Sequence, residues 1–115
     1  LPRENKRSSG IMGLDQAMEG GFPTGTAIVV QGSPLTGIEH MARQFWNTEG
    51  ETGVYLMLDT EPEEGMTDAR QMEPSAFPVL YTSNRIVVDS LSTVILKYGI
   101  EAGLECLSTA KKMSL

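Results

Sequence analysis

The chain has 115 residues, enough for one domain that buries roughly two-thirds of its unfolded surface. Fifteen acidic against nine basic residues give a net charge of −6, which argues against nucleic-acid binding as the main role. Cys106 stands alone, so an internal disulfide and a Cys/His zinc spacing are both excluded, and no apolar run reaches the roughly 18 residues of a membrane span.

A charged start with no leader-like apolar run predicts a soluble, cytoplasmic protein. Residues 1–8, with Arg3, Lys6 and Arg7, read as a flexible, solubilising tail. Asp15 reads as the cap of a short helix from Gln16 to Glu19. Thr26-Ala27-Ile28-Val29-Val30-Gln31, bounded by Gly25 and Gly32, has the composition of a strand buried on both faces. It leads into Gly32-Ser33-Pro34-Leu35-Thr36-Gly37-Ile38-Glu39, in the place of a phosphate-binding loop. A working loop reads G-x-x-x-x-G-K-[ST]: backbone N–H groups cradle the phosphates, the lysine neutralises them and the hydroxyl binds Mg²⁺. Ile38 stands for that lysine and Glu39 for that hydroxyl.

From Glu39 the spacing predicts a helix, with Met41 and Phe45, and Ala42 and Trp46, as i, i+4 pairs. Arg43 and Asn47 face outward and Gly50 is the stop. His40 reads as exposed helix surface rather than a metal ligand, and Trp46 and the seven methionines as core. Gly53 opens a second buried run, Val54-Tyr55-Leu56-Met57-Leu58, ending at Asp59. Pro62 in Glu61-Pro62-Glu63-Glu64 fits the first residue of a further helix with acids at its positive end. No spaced oxygen ligands make that turn a calcium loop.

Val79-Leu80-Tyr81-Thr82 and Ile86-Val87-Val88-Asp89 read as two more strands, separated only by Ser83-Asn84-Arg85. Parallel strands need a crossover of about a dozen residues, so this spacing allows only a tight antiparallel connection. Beyond Asp89 come a short helix through Leu91, Val94, Ile95 and Tyr98, stopped by Gly99, and a second with Ile100, Leu104, Leu107 and Ala110 on one face. Lys111 and Lys112 favour its C-terminus.

Taken singly, the glycines near the start are ordinary turn residues; their order says more. Ser9-Gly10-Ile11-Met12-Gly13-Leu14-Asp15 and Gly20-Gly21-Phe22-Pro23-Thr24-Gly25-Thr26 resemble the T-G-I-x-G-L-D and G-G-x-P-x-G that open KaiC-like members of the RecA superfamily. Ala42-Arg43-Gln44-Phe45 is similar to the family's L-A-x-Q-F, Pro62-Glu63-Glu64 to its S-P-E-E, and Val87-Val88-Asp89-Ser90-Leu91-Ser92 to its second nucleotide motif, h-h-D-S-L-[ST]. The resemblance covers residues 9 to 98 and implies an α/β fold: a RecA-like three-layer core, a mostly parallel sheet with helices on both faces, incomplete in this chain. Nucleotide would lie at the carboxyl ends of the strands.

Carried over by position, residues 32–39 are a degenerate phosphate loop, in which Leu35 also departs from the family's usual glycine. Asp89 matches the Mg²⁺-associated acid, whereas Asp59-Thr60 replaces the Glu-Glu pair that activates water. Asp59 is a vestigial catalytic position, since a carboxylate displaced by an ångström costs about a hundredfold in rate. Losing the lysine costs about 1.5 to 3 kcal/mol, and Glu39 beside a triphosphate adds about 1 to 4 kcal/mol of repulsion per close pair. Together they weaken ATP binding by about two to five powers of ten.

The expectation is a pseudo-ATPase: a regulatory or signal-transduction domain acting through a protein partner or a second copy, with no cofactor, membrane or nucleic acid. Such relatives are suspected in signalling, particularly in archaea. The alternative is an ATP- and Mg²⁺-using ATPase whose missing charge comes from a neighbouring subunit, and a weaker one is a recombinase-like DNA-binding role. Family members carry a helical crossover where this chain has only residues 83–85, and they continue into further strands. Segments are therefore expected to be missing near 82–86, around 65–78 and after 115; otherwise the domain is authentically short, with an open sheet edge.

Overall fold

The computed structural model describes residues 6–32, 37–48 and 53–113. In chain order the elements are β1 Lys6–Arg7, α1 Met12–Ala17, β2 Phe22–Pro23, α2 Ile38–Trp46, β3 Val54–Met57, β4 Thr67–Asp68, a 3₁₀ helix Pro74–Leu80, β5 Ile86–Asp89, α3 Leu91–Tyr98 and α4 Ile100–Met113.

The run expected at 54–58 is the organising strand. Every residue of β3 is buried, and it pairs in parallel with β4 and β5, giving the order β4-β3-β5. Its side chains alternate between two cores, as a pleated strand requires. Val54, Leu56 and Leu58 join Ala69, Phe77, Tyr81, Val94 and Cys106 beneath the 3₁₀ helix, α3 and α4. Tyr55 and Met57 join Trp46 of α2 on the opposite face. The result is a small parallel sheet with helices on both sides, the α/β architecture expected of a partial RecA-like core.

Arg85 ties three parts of this structure together. Fully buried, it donates through Nη1 to the carbonyls of Ser8 (2.8 Å) and Phe45 (2.9 Å), and its guanidinium lies 4.7 Å from the Phe45 ring centroid. Trp46 donates through Nε1 to the Gly53 carbonyl at 2.7 Å and meets Tyr55 edge-on at 5.2 Å. That fixes the exit of α2 against the entry of β3. Cys106 is a buried free thiol 4.0 Å from the Tyr81 hydroxyl.

Several sequence expectations are corrected. Residues 26–31 form no strand, and Ile28, Val29 and Val30 are exposed. A strand is stable only when its backbone groups are paired, and no described strand lies alongside this segment. Residues 79–82 are not a strand either: 79 and 80 end the 3₁₀ helix, and Tyr81 and Thr82 donate locally to the carbonyls of Pro78 (3.1 Å) and Leu80 (2.9 Å). Pro74 at the helix start and Pro78 within it favour this tight local geometry over a sheet ladder. Residues 69–85 thereby supply the crossover that lets β5 run parallel to β3, and no hairpin forms.

Pro62 starts no helix. Met66 donates to the Glu63 carbonyl at 3.0 Å, closing a turn at Gly65 that feeds directly into β4. Lys6 and Arg7, expected in a flexible tail, pair with Pro23 and Phe22. Asp15 lies inside the first turn of α1 rather than capping a later helix, and accepts from the Ser8 hydroxyl, the Ser9 amide (2.7 Å) and the Ser9 hydroxyl (2.6 Å). Gly50 lies outside the described residues, and α2 has already ended at Trp46.

Candidate functional site

The parallel register sets the site. Met57 is the partner of Asp89, and the Leu58 amide donates to the Asp89 carbonyl at 2.7 Å, so Asp59 and Asp89 emerge at neighbouring carboxyl ends of β3 and β5. This is the edge at which open α/β sheets bind ligands. Asp89 is half-buried near Tyr55, close enough that each group influences the other's proton affinity. Asp59 is exposed and accepts from the Thr93 hydroxyl. Ser90 caps α3, its hydroxyl accepting from the Thr93 amide at 3.4 Å, and so positions Thr93 toward Asp59.

The loop enters this region through α2. Ser33, Pro34, Leu35 and Thr36 lie outside the described residues. Gly32 is exposed, and Gly37 caps α2 at φ 84°, a left-handed conformation that glycine adopts without strain. Ile38 is half-buried and Glu39 exposed in the first helical turn. A helix N-terminus attracts anions because its first N–H groups are unpaired. Here the helix brings its own carboxylate to that end.

The electrostatics follow. Burial pushes the Asp89 carboxyl up from its ordinary value, and the charges of Asp59 and Glu39 push it further, against the opposing effects of Tyr55 and Arg43. Tyr55 is pushed up to about 12, by burial first and then by Asp89. Arg43, the cation whose charge reaches both groups, is engaged elsewhere: it forms an ion pair with Glu63 and lies 4.0 Å from Glu39.

Sequence reasoning singled out Asp59, Asp89, Ile38 and Glu39 but missed Tyr55, Thr93 and the Arg43–Glu63 pair. The parity of β3 places Tyr55 on the α2 face, and the cap spacing from Ser90 to Thr93 is visible in the string; nothing local announces Arg43–Glu63. His40 faces a separate cleft of about 950 Å³ between α1 and α2, bordered also by Asp15, Glu19 and Arg43. Among the described residues no three or more His, Cys, Asp or Glu gather as a metal site, and no helix is long and apolar enough to cross a membrane.

Parallel strands with acids at their carboxyl ends, a glycine-opened helix beside them and helical layers on both faces define a protein class, the α/β proteins with a RecA-like core. Within it, the family model described as "ATPase: KaiC" matches residues 7–95, and the chain belongs to that family. Similar relatives include a UPF0273 protein of Methanopyrus kandleri, 40% identical over 58 residues, which cover 48% of this chain and 23% of the relative. UPF0273 proteins of Thermotoga maritima and Pyrococcus furiosus are each 37% identical over 57 residues, 47% of this chain and 24% and 23% of theirs. The match thus spans about a quarter of these relatives' length. No solved structure matches the chain.

Proposed function

We propose that the chain is a pseudo-ATPase domain of the KaiC family, a regulatory or signal-transduction module that acts through protein contacts instead of nucleotide turnover. The observation that carries this reading is the set of carboxylates at the strand ends. Asp89 already bears the charges of Asp59 and Glu39, and a polyphosphate brought there adds further negative charge. The residues do not suit a magnesium nucleotide: Ile38 offers an alkyl group where a cation is needed, Glu39 offers a charge of the wrong sign, and Arg43 is held by Glu63.

Calorimetric titration with ATP and Mg²⁺ tests the proposal. The parent should show no binding up to about millimolar ATP, whereas Ile38→Lys/Glu39→Thr should gain at least about a hundredfold in affinity, since each restored charge interaction is worth about 1.5 to 3 kcal/mol. Micromolar binding or steady phosphate release by the parent would instead favour an ATPase completed by a neighbouring subunit.

A further inference from the structure

We propose that the cleft between α1 and α2 is a docking site for a lysine side chain of a partner protein, with Glu19 as its counter-ion. Among the described residues, Glu19 alone has a positive φ, 54°, without being a glycine. It follows the last turn of α1, where the Gly20 amide donates to the Asp15 carbonyl at 2.8 Å and the Glu19 amide to the Gln16 carbonyl at 3.3 Å. A helix closed in this way usually has glycine at the left-handed position, because a Cβ there crowds the backbone. Gly20 and Gly21 come immediately after, yet the strained place itself carries a glutamate.

The fold does not use that side chain. Glu19 is exposed, and its carboxylate makes no ion pair or hydrogen bond with a described residue. Backbone strain that no contact within the chain offsets points to a residue placed for a ligand.

Glu19 borders the cleft of about 950 Å³, and the other charges on its walls are committed. Asp15 accepts from Ser8 and Ser9, and Arg43 is paired with Glu63. With His40 neutral, the lining sets Asp15 and Glu19 against Arg43, an excess of negative charge. The same lining holds the side-chain amides of Gln16, Gln44 and Asn47, whose oxygens accept N–H bonds. Met12, 75% exposed, offers apolar surface to the stem of a long side chain. This end of α1 already receives an ammonium, since Lys6 donates through Nζ to the Met18 carbonyl at 3.1 Å. Carbonyls at a helix C-terminus favour cations, and a net charge of −6 draws a basic partner from a distance.

The site gives a partner chemistry to a module that acts through protein contacts, and it rests on that reading. Fluorescence anisotropy of a labelled tetralysine peptide, at about 50 mM salt and without nucleotide, tests it. Because no nucleotide is present, ATP binding by the parent would sink the pseudo-ATPase reading and leave this site standing. The parent should bind tetralysine below about 1 mM and leave tetraglutamate free. Glu19→Gln should weaken tetralysine at least about tenfold, whereas Glu101→Gln, which removes an equal charge from the exposed surface of α4, should change it less than about twofold. Glu19→Gly should lose the same affinity while its urea midpoint rises above the parent's, because the left-handed strain is gone. A parent that leaves tetralysine free at about 1 mM, or that binds tetraglutamate as well, overturns the proposal. So does a Glu19→Gln variant that binds as the parent does, or an equal loss in Glu101→Gln. A Glu19→Gly midpoint at or below the parent's overturns it too, since Glu19 would then serve the fold and not a partner.

Discussion

At the scale of single residues, opposite effects act on two aspartates. Burial pushes the Asp15 carboxyl up, but the bonds from Ser8 and Ser9 and the charge of Arg85 outweigh it and leave it below its ordinary value. Asp89 is raised, by burial and then by Asp59 and Glu39. A raised carboxyl binds its proton more tightly in the folded chain than in the unfolded one. Its stabilising contribution is therefore fully present below the unfolded value near 3.8 and is lost as the pH rises through the folded value. At neutral pH the ionised Asp89 destabilises the fold. Asp89→Asn removes that charge and keeps the size of the side chain, so the variant should be more stable than the parent at pH 7. The difference should shrink as the pH falls toward 3.8. Urea midpoints across that range measure it, and an Asn variant less stable at neutral pH contradicts the account.

At the scale of elements, α3 and α4 meet at Gly103. A Cβ there would lie 2.6 Å from Ile95 Cγ1, on the stem of a stiff β-branched side chain. Gly103→Ala gains up to about 1 kcal/mol of helix propensity and loses about 1 to 3 kcal/mol to overpacking, for a net loss of about 1 kcal/mol. Ile95→Ala removes the obstructing atom, so the double variant should cost about 1 kcal/mol less than the two single losses added; strict additivity in urea unfolding would refute the contact. The same pair shows what the string reveals. Gly99 as a stop and the 3.6-residue spacing from Ile100 mark both helices in the sequence, whereas the apposition of Gly103 and Ile95 appears only once they are packed. Likewise β3, β5 and α2 follow from periodicity and motif order. Residues 26–31 do not, because composition reports what a strand would bury and not whether a neighbour is there. The run 79–82 misleads because the backbone of Tyr81 and Thr82 is satisfied locally. For the candidate site, Asp59 and Asp89 were legible as ends of buried runs, while Arg43–Glu63 joins elements twenty positions apart.

At the scale of the molecule, β3 sends fully buried side chains into both cores, since its alternate residues enter opposite clusters, and β5 beside it packs Ile86 and Val88 against one and Val87 against the other. Removing packing on one face therefore weakens the strand on which the other face rests. Phe77 is fully buried in the cluster beneath the 3₁₀ helix, and the single tryptophan, Trp46, lies in the opposite one. Phe77→Ala should cost about 3 to 5 kcal/mol, a large share of the roughly 5 to 15 kcal/mol that holds a domain of this size together. If the two faces unfold as one unit, Trp46 fluorescence in the variant shifts by that full amount and coincides with far-ultraviolet circular dichroism at every urea concentration. A tryptophan transition that stays at the parent's midpoint while the dichroism moves would mean that α2 and its face of the sheet fold independently. The helix carrying Ile38 and Glu39 would then not be held rigidly against Asp89. A single shared transition fixes it there, so the carboxylates at the strand ends stay together for as long as the chain is folded.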